Sequence, residues 1–266
     1  MRARWLFLAV IVSLLASCAA NANDGKPPIH DRQITVLAAS SLQAAFTDAA
    51  RVYEGSHPGI ALTFGFDASS AIRTKIEQGA PADLFASADL TNAHKLVQDG
   101  FAFGPVQPFA ANRLAIVVPS DDPAHIATPL DLARPGVRLV AAGEGVPISA
   151  YASQLINALS RQPGYPPGFA AQVAANVASR EDNVAAVVAK VALGEGDAGI
   201  VYQTDALASS SVKEIPIPAG ANVSVTYAAV VVKASSQPDV ARALLTWLSG
   251  AAGQAVLARF GFMAPR

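Results

Sequence analysis

Residues Gln33–Tyr53 read QITVLAASSLQAAFTDAARVY and contain the pattern from which the fold class is predicted. Its first part, Gln33–Ala39, is a short apolar run typical of a buried strand. After the two serines, apolar side chains recur at helical spacing, at Leu42, Ala45, Phe46, Ala49, Val52 and Tyr53. A strand joined to an amphipathic helix by a short polar turn is the repeating unit of α/β proteins.

Two further units of this kind follow along the chain. Ile60–Phe66 is predicted as a strand, and Ser70–Gln78 as a helix that ends at Gly79. Asp83–Ala88 is predicted as a third strand, with Asp89 placed to cap the helix after it. Strands that alternate with helices in this way predict a mainly parallel sheet with helices on both faces.

The alternation starts again after Pro105–Pro108, which indicates a second α/β unit. The predicted strands there are Arg113–Pro119, Val137–Ala142, Ala198–Tyr202 and Tyr227–Lys233. The predicted helices are Ser149–Leu159, Val184–Leu193, Pro238–Leu248 and Gly250–Phe260. By pattern alone, the last two helices could pack on either unit.

The N-terminus carries the features of an export signal. Arg2 and Arg4 precede Trp5–Ala16, an apolar run too short to span a bilayer, so residues 1–17 are predicted to be a secretory signal. Cys18 is the only cysteine in the 266 residues, and Leu15-Ala16-Ser17 before it resembles a bacterial lipobox. We therefore predict lipidation at Cys18, with residues 18–32 as a flexible tether. The alternative is an ordinary cleaved signal with an incidental cysteine.

Composition and motifs exclude several classes of function. The chain is 52% hydrophobic and 15% charged with a net charge of -1, which excludes disorder and offers no basic stripe for nucleic acid. It contains no nucleophile elbow, zinc-protease motif, Walker loop or dinucleotide fingerprint, and its four histidines lack ligand spacing. Asp83 and Asp89 flank a strand, but turn formation and helix capping explain them better than acid–base catalysis. We predict no enzyme activity, no cofactor and no bare metal ion.

Serine hydroxyls instead recur at the strand-to-helix turns. Ser40 and Ser41 follow the first strand, and Ser69 and Ser70 follow the second. Such a turn presents a hydroxyl and free backbone N–H groups at a helix N-terminus, which suits an anion. In open α/β sheets these turns lie where ligands bind. Taken singly, each serine is explained more simply as a helix cap. Two such turns on consecutive strand–helix units of an exported chain favour the binding of an anion.

Five fragments resemble one known family in the same order and spacing, from about Ile34 to the C-terminus. They are Ala38–Ala45 (AASSLQAA), Glu77–Asp89 (EQGAPADLFASAD), Val146–Ala152 (VPISAYA), Gly199–Ala206 (GIVYQTDA) and Ala258–Phe262 (ARFGF). The chain thus resembles the molybdate-binding proteins of bacterial ABC importers, which have the type II periplasmic binding protein fold.

The resemblance implies two α/β lobes that close over one oxyanion, molybdate or tungstate. Lobe I would comprise residues 33–111 and 227–266, and lobe II residues 112–226. The chain would be a monomer that delivers its ligand to a membrane permease. Carried over by motif, the ligand-binding residues are Ser41, Ser69, Ile148, Val184 and Tyr202.

Each of these residues has an implied role. Ser41 and Ser69 would contribute hydroxyl and backbone donors from lobe I, whereas Ile148 and Val184 would contribute backbone N–H groups from lobe II. Tyr202 would add its phenol hydroxyl, although a core aromatic at a strand end is an equally good interpretation of its pattern.

The chain departs from the family's pattern after the Val-Pro pair, where small residues are usual. Here Ile148 is expected to narrow the pocket and Ser149 to add a hydroxyl, which affects selectivity more than function. Three alternatives remain: a binding protein for sulfate, phosphate or another small anion, an exported hydrolase using Ser41 or Ser69, and a structural lipoprotein without a ligand.

Overall fold

The computed structural model of the protein describes residues 32–265. The predicted signal, the lipidation site at Cys18 and most of the tether lie outside the described residues. Arg32, predicted to end the tether, is instead the first residue of the first strand. No helix within the described part of the chain is long and apolar enough to cross a membrane.

The described residues form an α/β protein. The strands are β1 (Arg32–Ala39), β2 (Ile60–Asp67), β3 (Leu84–Ser87), β4 (Ala102–Pro119), β5 (Leu139–Ala142), β6 (Val177–Glu181), β7 (Ala198–Tyr202), β8 (Val212–Ile215) and β9 (Ser224–Val232). The helices are α1 (Gln43–Ser56), α2 (Ser69–Glu77), α3 (Leu90–Gln98), α4 (Pro147–Leu159), α5 (Phe169–Ala175), α6 (Val184–Ala192), α7 (Gln203–Leu207), α8 (Pro238–Ser249) and α9 (Ala251–Arg259). Short 3-10 turns occupy Ser40–Leu42 and Pro129–Ala133.

The strands form two half-sheets that share β4. In the first half-sheet the order is β2-β1-β3-β9-β4, and β4 contributes its residues 102–113. β1, β2 and β3 are parallel, and β9 runs antiparallel to both of its neighbours. In the second half-sheet β4 continues from Leu114 and pairs with β7 and β8, while β5 lies between β7 and β6 in parallel. The predicted α/β architecture is confirmed, and its sheet is mixed, because β4 and β9 form antiparallel pairs with their neighbours.

Alternate residues of the first half-sheet belong to different cores. Phe85, Ala228 and Val230 pack with Ile72 of α2 and Leu96 of α3 on one face. Their chain neighbours belong to the larger core on the other face, with side chains of α1 and α8, including Leu84, Ala86, Ala229, Val231, Phe46 and Leu244. This two-residue alternation shows that helices cover both faces of the half-sheet, as the sequence predicted.

Strand β4 departs from the prediction. We predicted that Pro105–Pro108 would separate two units, with a strand only at Arg113–Pro119, but a single strand runs from Ala102 to Pro119. The pairing of β4 with β9 shifts register between Phe103 and Gln107 and again after Pro108. Proline cannot donate to a ladder and is tolerated at such irregularities, so the prolines interrupt the register without ending the strand.

Most other predicted elements agree with the structure to within a few residues, and β7 has its predicted bounds. Gly79 ends α2 with a φ of 90°, a conformation that side chains disfavour. Val52 was predicted to lie on the buried stripe of α1 but is 38% exposed. The short elements α5, β6, α7 and β8 were not predicted.

Candidate functional site

The carboxyl ends of strands from both half-sheets surround one small cavity. Its lining residues are Ala39, Ser40, Ser41, Asp67, Ala68, Ser69, Ala88, Val146, Pro147, Ile148, Val184 and Tyr202. All five residues that the sequence nominated are among them. The volume of this cavity is about 10 Å³, so it can hold no more than a small ion or molecule. The structure thus brings together residues from six separate segments of the chain.

Ser69 opens helix α2, directly after the strand β2. Its side chain is buried, and its Oγ accepts a hydrogen bond of 3.0 Å from the backbone N–H of Ala88. This bond uses a lone pair of the Ser69 oxygen, so the hydroxyl proton of Ser69 remains available to an acceptor in the cavity. The Ser69 backbone N–H lies in the first turn of the helix and has no partner within it.

Ser41 lies in the 3-10 turn that connects β1 to α1, and this turn is buried. Its Oγ is 2.9 Å from the hydroxyl of Tyr227, a residue of β9. The strand β1 places Ser41 beside Ser69 in the cavity wall because β1 and β2 are parallel and in register through Ala39 and Asp67.

The second half-sheet contributes two helix N-termini. Pro147 and Ile148 begin α4, and proline suits the first helical position because its missing N–H would have no partner there. Val184 begins α6, where the side chain of Asn183 caps the helix by accepting from the N–H of Ala186 at 3.0 Å. The N–H groups of Ile148 and Val184 therefore have no partner within their own helices. With α2, three helix N-termini meet at the cavity and create a positive potential there.

Tyr202, the last residue of β7, supplies the least satisfied group of the site. Its ring is 1% exposed, and its hydroxyl has no hydrogen-bond partner within the described chain. The rings of Tyr227 and Tyr151 pack edge-on against it at centroid distances of 5.6 and 6.5 Å. Burial, together with these neighbouring hydroxyls, raises the pKa of Tyr202 well above its ordinary value, so the phenol keeps its proton. A buried donor without a protein partner fits a ligand-binding role better than a core role.

The cavity wall contains no cation, and its single charged residue is Asp67. Sequence reasoning missed this carboxylate. It accepts from the Ala68 N–H at 2.8 Å and from Nδ2 of Asn183 at 3.5 Å, and it pairs with Lys75 Nζ at 2.8 Å. Burial alone would raise the pKa of Asp67, but Lys75 and these hydrogen bonds outweigh it and lower the pKa. The Asn183 contact also joins the two half-sheets beside the cavity.

The departure at Ile148-Ser149 has a clear structural outcome. Ile148 is buried in the cavity wall. Ser149 does not line this cavity, and its hydroxyl donates to the carbonyl of Val146 at 2.7 Å. The expected extra hydroxyl is therefore not supplied to the site.

A larger cavity of about 450 Å³ lies under α4 in the second half-sheet. Small and branched apolar side chains make up most of its wall, and Ile148 separates it from the smaller cavity. It contains none of the hydroxyls or helix N-termini described above except the first turn of α4. Within residues 32–265, no group of His, Cys, Asp and Glu could hold a metal ion. The smaller cavity is thus the candidate site.

Comparison with known proteins gives consistent results. A sequence model for bacterial extracellular solute-binding proteins matches residues 34–263. The molybdate-binding protein ModA of Mycobacterium tuberculosis is 34% identical over 272 aligned positions, which cover 98% of this chain and 100% of that protein.

Two solved structures share the fold. The periplasmic molybdate-binding protein of Azotobacter vinelandii has a TM-score of 0.72 at 22% identity, covering 88% of this chain and 100% of its own. The sulfate-binding protein SubI of M. tuberculosis has a TM-score of 0.78 at 19% identity, covering 88% and 87%. At these identities the likeness concerns the fold, and the higher score of the sulfate-binding protein shows that the fold does not discriminate between the two anions.

Proposed function

This chain belongs to the family of bacterial extracellular solute-binding proteins, and from that premise we propose that it captures molybdate for an ABC importer. One observation carries the proposal: a small buried cavity lined by hydroxyls and helix N-termini from both half-sheets, without a cation in its wall. The match to a molybdate-binding relative over nearly the whole chain supports this ligand over other anions.

The donors of the site explain how a dianion could be held without an ion pair. The hydroxyls of Ser41, Ser69 and Tyr202 would each donate to a ligand oxygen, and the backbone N–H groups of Ile148 and Val184 would donate from the opposite side. Hydrogen bonds to a charged acceptor are about twice as strong as neutral ones. The one carboxylate in the wall, Asp67, already accepts from Ala68, Asn183 and Lys75. A proton on the ligand would therefore meet another donor at each of these five groups, so fully ionised oxyanions are preferred.

The two half-sheets provide a mechanism for signalling occupancy. Donors from lobe I (33–111 and 227–266) and lobe II (112–226) would contact the same ion, so binding would favour the closed arrangement of the lobes. We propose that a membrane permease recognises this closed monomer. Tungstate, which is nearly equal to molybdate in size and charge, would bind in the same way.

Sulfate is the second candidate ligand because the sulfate-binding protein shares this fold closely. A hydrolase is less well supported. The cavity wall contains Ser41 and Ser69 but no histidine or lysine that could activate either hydroxyl.

A ligand panel tests the proposal. Calorimetry and thermal unfolding with molybdate, tungstate, sulfate, phosphate and chromate should show strong binding of the first two ions only. At about a hundred times its Kd, a ligand adds about 2.7 kcal/mol to stability, which is readily measured. Ser69→Ala should weaken molybdate binding by about 1.5–3 kcal/mol. Equal stabilisation by sulfate would mean that the ligand is wrongly assigned.

We also propose that the mature protein is a lipoprotein anchored through Cys18 on the outer side of the cell membrane. The support is the lipobox-like Leu15-Ala16-Ser17-Cys18 and the absence of any other cysteine in the sequence. Cys18→Ser should move the exported protein from membrane fractions to soluble fractions. Wild-type protein found only in soluble extracytoplasmic fractions would show that the signal is an ordinary one.

A further inference from the structure

The Ser41 hydroxyl is the end of a buried chain of hydrogen bonds that leads away from the cavity. Its Oγ is 2.9 Å from the hydroxyl of Tyr227. Nδ2 of Asn112 donates to that same Tyr227 hydroxyl at 3.4 Å and to Oγ1 of Thr204 at 2.8 Å. All four residues are buried. Of them only Ser41 lines the cavity.

The orientation of the Asn112 amide is fixed by the backbone. Its Oδ1 accepts from the N–H of Arg113 at 2.8 Å. The side-chain NH₂ must therefore point towards Tyr227 and Thr204, since a flipped amide would set its NH₂ against the Arg113 N–H. It follows that the Tyr227 oxygen acts as an acceptor towards Asn112.

This arrangement orients the hydrogen bond between Tyr227 and Ser41. The Tyr227 oxygen accepts from Asn112, and within residues 32–265 the Oγ of Ser41 is the acceptor within reach of the Tyr227 proton, so Tyr227 donates to Ser41. Ser41 Oγ then accepts from Tyr227, and its own proton is free to point into the cavity. Successive hydrogen bonds with the same direction also polarise one another.

We propose that Asn112 and Tyr227 are positioning residues that make Ser41 an obligate hydrogen-bond donor towards the bound anion. The inference rests on the proposed function, because it assigns a purpose to Ser41 in an oxyanion site. Ser69 is held in the same sense by the backbone N–H of Ala88. Both serines therefore have a proton available for the cavity, and a proton on the facing ligand oxygen would oppose it.

Tyr227 keeps its proton at neutral pH. Burial raises the pKa of Tyr227 well above its ordinary value, and the charge of Asp205 adds to the effect. The positions of Asn112 and Tyr227 also matter. Asn112 lies in β4 and Tyr227 in β9, paired strands next to the point where β4 changes partner from one half-sheet to the other. Asn112 and Tyr227 thus lie on paired strands, where the two half-sheets meet.

A double-mutant cycle with molybdate tests the inference. Y227F should weaken molybdate binding about tenfold in calorimetry, because the Ser41 hydroxyl then loses the hydrogen bond that orients and polarises it. In the Ser41→Ala background the same change should weaken binding less than about twofold, since the hydroxyl that it positions is absent. Asn112→Ala leaves the tyrosine ring in place and should show a smaller loss with the same dependence on Ser41.

Ligand selectivity provides a readout that a purely structural role would not change. In Y227F, Ser41 can accept as well as donate, so the affinity for phosphate, which carries a proton at neutral pH, should rise relative to that for molybdate. Tyr53→Phe is the matched control: Tyr53 is fully buried with an unpartnered hydroxyl and does not line the cavity, so both affinities should stay unchanged.

The possible outcomes separate this inference from the proposed function. If wild-type protein fails to bind molybdate, the proposed function fails, and this inference fails with it. If wild-type protein binds molybdate but Y227F keeps its affinity and its phosphate-to-molybdate ratio, the positioning role is overturned and the function stands. If Y227F weakens molybdate binding by the same factor in the wild-type and in the Ser41→Ala protein, the positioning role is likewise overturned.

Discussion

Replacing Tyr202 with phenylalanine should change stability and ligand binding in opposite directions. The Tyr202 hydroxyl is buried without a partner within the described chain. An unsatisfied buried polar group costs about 1–3 kcal/mol, so its removal should stabilise the ligand-free protein, by about 1 kcal/mol on the lower estimate. A tyrosine that serves only the core would show no matching loss of affinity.

The effect on binding follows from the same hydroxyl. Loss of a hydrogen bond to a charged ligand costs about 1.5–3 kcal/mol, which weakens Kd about 12- to 160-fold. At a molybdate concentration of about a hundred times the wild-type Kd, the ligand stabilises wild-type protein by about 2.7 kcal/mol. Under the same conditions Tyr202→Phe should gain only about 0.3–1.3 kcal/mol. The variant should therefore be the more stable protein without ligand and the less stable protein with it.

Thermal unfolding with and without molybdate measures both effects in one experiment. Tyr53→Phe is the control, since it removes another buried, unpartnered hydroxyl from outside the cavity. It should share the gain in the ligand-free state and keep the full response to molybdate. A lower stability of ligand-free Tyr202→Phe, or a response to molybdate equal to that of wild type, would contradict a ligand-binding role for this hydroxyl.

Two further predictions concern charge. Burial raises the pKa of Asp205 to about 7, against a single opposing hydrogen bond from the Tyr202 N–H. The folded state then holds this proton more tightly than the unfolded state, so this carboxyl lowers stability as pH rises from about 4 to 7, by at most about 1.4 kcal/mol per pH unit. Asp205→Asn should thus be more stable than wild type in urea unfolding at pH 8, with a difference that shrinks towards pH 4; a constant difference would contradict the shift. Separately, a closed site without cations is screened little, so molybdate affinity should change less than about tenfold between low salt and roughly 0.5 M sodium chloride, whereas a hundredfold loss would indicate exposed cations.

The sequence predicted the fold where local pattern and long-range packing agree. β7 was predicted to the residue because AGIVY is apolar throughout and ends at the polar Gln203-Thr204. The prediction failed at Pro105 and Pro108, because the tolerance of a strand for proline depends on bulges in its pairing with β9. The half-exposed strand β6 was also not predicted, because its sequence VASRE has no run of apolar residues.

The same distinction applies to the site. The five residues nominated from sequence motifs all line one cavity. They could be nominated because helix N-termini and serine-containing turns are recognisable from the local sequence. Asp67, Asn112 and Tyr227 were not nominated. Their roles depend on partners far away in sequence, such as Asn183 for Asp67 and Ser41 for Tyr227, and no local pattern reveals such pairs.

The position of β9 has a consequence for how the chain is made. β9 lies between β3 and β4 in the first half-sheet, yet it ends only at Val232, after every strand of the second half-sheet. During synthesis, the N-terminal strands emerge long before the strand that must be inserted among them. The first half-sheet therefore cannot be completed until nearly the whole chain has left the ribosome. The strands β3 and β4 thus lack their shared neighbour for most of synthesis.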